Sequence, residues 1–140
     1  MLRAVMDTNV LVAGLRSPNG ASHELLVRLR AGDWKLVLSN TVLGEYHEIL
    51  HREAESVALT HREADAYMDV LCAMAERVVP ITPWQPVAGD ADDEAIIQLA
   101  REARVQYLVT HNVRDVSRAT QFGVQVVRPA EFLEILRQAK

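Results

Sequence analysis

Short runs of aliphatic and β-branched residues alternate along the chain with longer segments whose apolar residues recur every three or four positions. The short runs predict strands, and the longer amphipathic segments predict helices. The predicted strands are 2–6, 34–38, 77–81, 107–110 and 124–127. The predicted helices are 21–31, 40–55, 60–76, 91–103 and 114–121, followed by a terminal helix that Pro129 opens.

The alternation of strands and helices predicts parallel pairing, because each crossover helix returns the chain to the same end of the sheet. We therefore predict an α/β fold, a three-layer α/β/α sandwich with a central, mainly parallel sheet. No linker or repeat interrupts the pattern, and a chain of 140 residues buries roughly two-thirds of its surface on folding. We expect a single domain over residues 1–140.

The composition excludes several classes of protein. Hydrophobic residues make up 49 % of the chain and charged residues 24 %, which is unlike a disordered protein. A single cysteine, Cys72, allows no internal disulfide and no all-cysteine metal site. No uncharged apolar stretch approaches the ~20 residues of a membrane-spanning helix. We expect a cytoplasmic protein with no membrane partner.

The net charge of −4 argues against a protein that binds nucleic acid through bulk positive charge. It is compatible with one that meets phosphate through cations bound by clustered carboxylates. Such a cluster is suggested by the acidic and amide residues that follow the predicted strands, where α/β sheets form their sites. These residues are Asp7, Glu45, Asp90, Asp92, Asp93, Asn112 and Asp115.

Helical geometry makes two of these acids conspicuous. Asp93 falls on the apolar stripe of its helix, and Glu45 lies at the border of such a stripe, where an unpaired carboxylate is costly. Two such carboxylates, with Asp7 nearby, would repel one another by about 4 kcal/mol per pair at ~4 Å and an effective dielectric constant of about 20. A divalent cation removes this penalty, and oxygen-only ligands favour Mg²⁺ or Mn²⁺. Each acid also has a simpler interpretation as a helix cap or a solvated residue, above all Asp90 and Asp92.

Taken in order, these segments resemble the PIN-domain family of metal-dependent ribonucleases. The resemblance is carried by Asp7–Val12, Ser39–Tyr46, Asp90–Asp93, and Leu108–Asn112 with Asp115. Residues 122–124 and 128–133 also resemble the subgroup described as toxin components of toxin–antitoxin pairs. The resemblance implies endonucleolytic cleavage of RNA at a pocket with one or two Mg²⁺ or Mn²⁺ ions, commonly by a homodimer, and an antitoxin protein as a further partner.

The resemblance also implies roles for individual residues. Asp7, Glu45 and Asp93 correspond to the three principal catalytic and metal-binding acids of the family. Asn112 stands where a fourth acid is usual, and Asp115 is a further candidate ligand. The residues assigned to support of these ligands or to contact with substrate are Thr8, Asn9, Arg16, Ser39 and Asp90.

Two alternatives remain at this point. The uncharged Asn112 is compatible with a PIN-like fold that is catalytically weakened and serves as a binding module. The segment His47-Glu48-Ile49-Leu50-His51 spells H-E-x-x-H, which on a helix can bind zinc in a metalloprotease. The helical wheel predicts that its two histidines face solvent, away from the apolar stripe, and no third zinc ligand is determined.

Overall fold

Five short strands form the central layer of the protein in the computed structural model, which describes residues 1–139. The strands are β1 Arg3–Met6, β2 Lys35–Leu38, β3 Glu76–Arg77, β4 Tyr107–Val109 and β5 Gln125–Val127. The α-helices are α1 Thr8–Arg16, α2 Ala21–Arg30, α3 Asn40–Arg52, α4 His61–Met74, α5 Ala91–Ala103 and α6 Pro129–Gln138. A 3₁₀ helix spans Val113–Phe122.

The sheet is parallel throughout, with the strand order β3-β2-β1-β4-β5. Ala4 of β1 pairs with Leu36 of β2 on one side, and Met6 of β1 pairs with Val109 of β4 on the other. The chain runs outward from β1 to β3 and then crosses back to build the other half. This reversal opens a crevice at the carboxyl ends of β1 and β4, the usual ligand-binding position in such sheets.

Helices cover both faces of the sheet, so the predicted three-layer α/β/α sandwich is confirmed. The largest buried side chain, Trp34, packs edge-to-face against Phe132 of α6, with the ring centroids 5.3 Å apart. The indole N–H of Trp34 donates to the carbonyl of Leu25 at 2.9 Å, which leaves no buried polar atom of the ring unpaired. The helix α6 is thereby fixed against the sheet.

The structure departs from the sequence-based elements in three places. Helix α1 was not predicted, and it begins directly after Asp7. The predicted strand 77–81 is wrong beyond Arg77, because Val79 and Ile81 are 72 % and 84 % exposed and Pro80 between them has no N–H for a ladder. The helix predicted at 114–121 is a 3₁₀ helix with a kink at Val116.

Helix α1 packs closely against α2 at Gly14. A Cβ atom on Gly14 would lie 2.6 Å from Cδ1 of Leu26 and 3.0 Å from the carbonyl oxygen of Ser22. Only glycine fits at this crossing without displacing α2. The close packing holds α1, and with it the residues around Asp7, against the rest of the domain. Among residues 1–139, no helix is both long and apolar enough to span a membrane.

Candidate functional site

Asp7 lies at the carboxyl end of β1, and only 9 % of its surface is exposed. It occupies the N-cap position of α1, but its side chain accepts no capping hydrogen bond from the helix. The carboxylate instead accepts hydrogen bonds from the hydroxyl of Thr110 at 2.8 Å and the amide of Asn9 at 3.4 Å. Burial raises the pKa of Asp7, and the hydrogen bonds from Thr110 and Thr8 oppose this only in part. The fold therefore holds a desolvated carboxylate at the base of the crevice.

Thr110, which follows β4 and is completely buried, connects the two strand ends. Its hydroxyl donates to Asp7 and accepts from the amide of Asn9 at 3.3 Å and from the backbone N–H of Asn112 at 3.0 Å. The carbonyl oxygen of the Asn9 side chain accepts from the backbone N–H of His111 at 3.2 Å. This network fixes the orientation of the Asp7 carboxylate.

Glu45 of α3 and Asp92 of α5 form an acidic pair beside Asp7. Glu45 is half-buried, and burial is the main cause that raises its pKa to about 8. The charge of Asp92 and a hydrogen bond with it raise this pKa further, and the charges of Asp7 and Asp90 act in the same direction. Glu45 and Asp92 line one pocket, the acidic pocket, together with Thr8, Glu48, Ile49 and Arg52.

The pKa of Asp93 in α5 is also raised. Burial and the negative charge of Asp90 raise the pKa of Asp93 to about 6, and Asp7, Asp115 and Asp92 add to the shift. The charge of Asp115, in the 3₁₀ helix, also raises the pKa of Asp7. Five acids from four segments of the chain therefore share one electrostatic environment.

No salt bridge within residues 1–139 balances the charge of these acids. Among residues 1–139, none of Asp7, Glu45, Asp92, Asp93 and Asp115 forms a salt bridge with lysine, arginine or histidine. In the same part of the chain, no three of these carboxylates bring oxygens within 4.8 Å of one another. The donor atoms of these side chains are all oxygens, which are the ligands that hard divalent cations prefer in proteins.

The comparison with known families gives one clear match. The family model described as PIN domain matches residues 3–114. The chain belongs to the PIN-domain family. The family assignment made from the sequence is thereby confirmed, and PIN domains are typically nucleases that use divalent metal ions. A search of curated proteins finds no match to this PIN domain.

Two of the predicted supporting residues of the PIN domain cap the first turns of helices that carry acids of the site. Ser39 is buried, and its hydroxyl accepts from the backbone N–H of Val42 at 3.2 Å, so it begins the helix that carries Glu45. The carboxylate of Asp90 accepts from the backbone N–H groups of Asp92 and Asp93 at 3.0 and 3.2 Å. Both residues position acids of the pocket through the backbone.

The structure places the other predicted residues in different surroundings. Asn112 is exposed at the start of the 3₁₀ helix, and its side chain makes no capping hydrogen bond. The hydroxyl of Thr8 donates to Asp7 at 3.3 Å. Arg16, expected in a polar loop, is the last residue of α1, where its guanidinium donates to the Ser56 hydroxyl at 3.0 Å and lies 3.6 Å from a carboxylate oxygen of Glu53. Their roles as ligands or substrate contacts stay predictions.

Sequence reasoning assigned no role in the site to two residues that the structure brings into it. Asp92 was counted among the clustered acids, with helix capping as its simpler interpretation, yet its charge raises the pKa of Glu45 more than the charge of Asp7 or Asp90 does. Thr110 was noted only within the family motif. A polar residue directly after a buried strand at the switch point of the sheet is the signal that could have identified Thr110.

The H-E-x-x-H residues are divided between two surfaces of α3. Glu48 lines the acidic pocket and lies 3.7 Å from Arg52. The histidines contact α4 instead, through Asp65 and His61. The expectation that both histidines face solvent is therefore wrong for His51, because α4 covers its side chain and leaves only 23 % of it exposed. This division leaves Glu48 apart from the histidines it would have to serve in a protease.

We expect the metal-free protein to lose stability as the pH rises from about 4.5 to about 8. The folded pKa of Glu45 lies above its ordinary value of 4.5, so in this interval the folded state holds a proton that the unfolded state has released. Because Glu45 is only half-buried, solvent screening reduces the effect to about 1–2 kcal/mol.

The free energy of unfolding in urea with chelator, measured across this pH range, tests the expectation. Glu45→Gln should flatten the pH dependence, whereas Glu55→Gln, at an exposed glutamate after α3, should leave it unchanged. Equal pH dependence in wild type and Glu45→Gln would mean that Glu45 titrates alike in the folded and unfolded states.

Proposed function

We propose that this PIN domain is a metal-dependent endoribonuclease and the toxin of a toxin–antitoxin pair. The observation that carries the nuclease proposal is the convergence of five acids at the switch point of the sheet, none of which forms a salt bridge within residues 1–139. Family membership supports phosphodiester hydrolysis. The toxin proposal rests on the resemblance of residues 122–124 and 128–133 to toxin components.

Asp7, Glu45 and Asp93 are the residues we propose to hold Mg²⁺ or Mn²⁺, with Asp115 and the side-chain oxygen of Asn112 at the rim. A divalent cation bound there would stabilise negative charge on the phosphoryl oxygens and lower the pKa of the attacking water. The chain itself contributes orientation, because Thr110 and Asn9 hold the Asp7 carboxylate.

The proton on Glu45 is a second contribution of the chain. In the cation-free pocket Glu45 has a pKa of about 8 and a hydrogen bond with Asp92, so the pair holds a proton at neutral pH. Ligands must be deprotonated to bind a cation, and we therefore expect cation binding to release this proton. Titration in two buffers of different ionisation enthalpy would measure the release.

The partners follow from the same proposal. RNA is the proposed substrate, and its phosphates would approach over Arg52, which lines the pocket of Glu45, and Arg16, which lines an adjoining pocket. A homodimer and an antitoxin protein are proposed from the family resemblance. The second candidate function is a binding module with the same fold, which is favoured by the uncharged Asn112 at the position of the fourth family acid.

Cleavage of RNA by the purified protein tests the nuclease proposal. We expect cleavage of single-stranded or structured RNA with Mg²⁺ or Mn²⁺ and none with excess chelator. Asp93→Asn should lower the rate by at least about 10-fold, since it removes one charged ligand. Asp69→Asn, on the exposed face of α4, provides a matched control.

The outcomes separate the candidate functions. Cleavage that persists in chelator, or that is equal in wild type and Asp93→Asn, would contradict the metal-dependent mechanism. A folded protein that binds Mg²⁺ and RNA but cleaves no RNA would favour the binding module. Growth arrest on expression, relieved by Asp93→Asn, would support the toxin proposal.

A further inference from the structure

A second group of metal-ligating side chains lies between α3 and α4, outside the acidic pocket. His47 and His51 lie one turn apart on α3, and Asp65 lies on α4. One carboxylate oxygen of Asp65 lies 3.2 Å from Nε2 of His47 and 2.7 Å from Nε2 of His51. Ligand atoms of the three residues all lie within 4.8 Å of one another, which holds for no other such group in residues 1–139.

We propose that His47, His51 and Asp65 bind a divalent transition-metal cation, Zn²⁺ or a close relative, that joins α3 to α4. Two imidazole nitrogens and one carboxylate oxygen are ligands typical of Zn²⁺, and they leave a fourth position for water. The acidic pocket has oxygen donors only and suits a harder cation. The protein would thus hold two different cations at two chemically distinct sites.

His61, the first residue of α4, supports the ligand arrangement. Its ring is nearly parallel to that of His51, with centroids 4.7 Å apart and an interplanar angle of 7°, and the two Nδ1 atoms are in hydrogen-bond contact. With Nε2 of His51 on the cation, Nδ1–H of His51 donates to Nδ1 of His61. A ligating imidazole is commonly oriented by such a partner on its other nitrogen.

The start of α4 is itself fixed, so His61 and Asp65 keep their places without a metal. The hydroxyl of Thr60 accepts from the backbone N–H of Glu63 at 3.0 Å, and the Glu63 carboxylate accepts from the backbone N–H of Thr60 at 3.0 Å. This reciprocal capping box sets the first turn of the helix. The ligands are therefore arranged before the cation arrives.

The cluster is also open to solvent. The side chains of His47 and Asp65 are each 58 % exposed, which gives a cation access without unfolding. Because Glu48 belongs to the acidic pocket, the site lacks the general base of a metalloprotease. We infer that the cation holds α3, the helix that carries Glu45, in place and has no role in peptide hydrolysis.

Zinc titration of tag-free protein tests the proposal, with Mg²⁺ in excess to occupy the acidic pocket. We expect one zinc per chain and a thermal unfolding midpoint raised by several degrees. His51→Ala and Asp65→Asn should weaken binding by at least about 100-fold, and His61→Ala by about 10- to 100-fold. His23→Gln on α2 and Asp69→Asn on α4 are the matched controls, and both should bind as wild type.

Binding of Cu²⁺ as a spectroscopic probe identifies the ligands directly. We expect electron paramagnetic resonance to show nitrogen coupling from two imidazoles in wild type and from one in His47→Ala. Unfolding midpoints in chelator show whether each variant folds, so a lost site is distinguished from a lost fold. The proposal is overturned if zinc affinity is unchanged in His51→Ala and Asp65→Asn, or if it is lost in Asp7→Asn. Zinc-dependent peptidase activity that Glu48→Gln abolishes would overturn the non-catalytic role.

Discussion

Asp7→Asn is expected to lower metal-dependent RNA cleavage about 100- to 1,000-fold while leaving the fold intact. The substitution removes the negative charge of Asp7, the most buried of the five acids. A catalytic cation contributes several kcal/mol of transition-state stabilisation. Asparagine has the same shape as aspartate, and its carbonyl oxygen can still accept from the Thr110 hydroxyl. Initial cleavage rates at saturating Mg²⁺ measure the effect.

The stability of this variant provides an independent measurement. Burial raises the pKa of Asp7, which means that the folded state destabilises the charged form of this side chain. A neutral asparagine should therefore unfold in chelator with a free energy equal to or above that of wild type. Asp69→Asn controls for loss of a surface charge. An Asp7→Asn protein that cleaves RNA at the wild-type rate would remove Asp7 from the ligand set.

Thr110→Val is expected to lower cleavage about 10- to 100-fold, although Thr110 is not itself a proposed ligand. Valine keeps the volume but cannot donate to Asp7 or accept from Asn9 and the N–H of Asn112. Partners that orient a metal ligand typically contribute this factor. Leaving buried groups unpaired should also lower the free energy of unfolding by about 1–3 kcal/mol.

Thr110→Ser provides the matched control, because serine retains the hydroxyl and loses only a methyl group. We expect Thr110→Ser to recover most of the activity and most of the Mg²⁺ affinity. Isothermal titration with Mg²⁺ separates weakened cation binding from a slower chemical step. Equal activity in Thr110→Val and wild type would show that the position of Asp7 does not depend on this hydrogen bond.

Strands β1, β2, β4 and β5 were predictable from the sequence, whereas the extent of β3 and the presence of helix α1 were not. The buried strands contain continuous apolar runs, which remain legible without any tertiary information. Residues 8–16 contain Val10, Val12 and Gly14, which are poor helix formers, so local preference gives a weak signal there. Packing of α1 on α2 at Gly14 stabilises this helix, and packing between distant segments cannot be read from a local pattern.

The site was predictable where position along a strand decides it. Asp7 directly follows a strand, and its burial in the crevice agrees with the rule for parallel sheets. Asp92 was harder to place, because the first turn of α5 directs two adjacent acids toward different neighbours: Asp92 acts on Glu45, and Asp93 responds to Asp7. The contacts of His51 depend on where α4 packs, which no spacing within α3 determines.

The outward-then-back order of the strands has a consequence for synthesis on the ribosome. Strand β4, which completes the crevice beside β1, is followed directly by Thr110, the residue that orients Asp7, so the crevice requires the chain through Thr110. A nascent chain that has emerged only through α5 contains Asp7, Glu45 and Asp93 but lacks the strand that aligns them. The proposed nuclease would therefore stay inert on the ribosome until β4 and Thr110 have emerged.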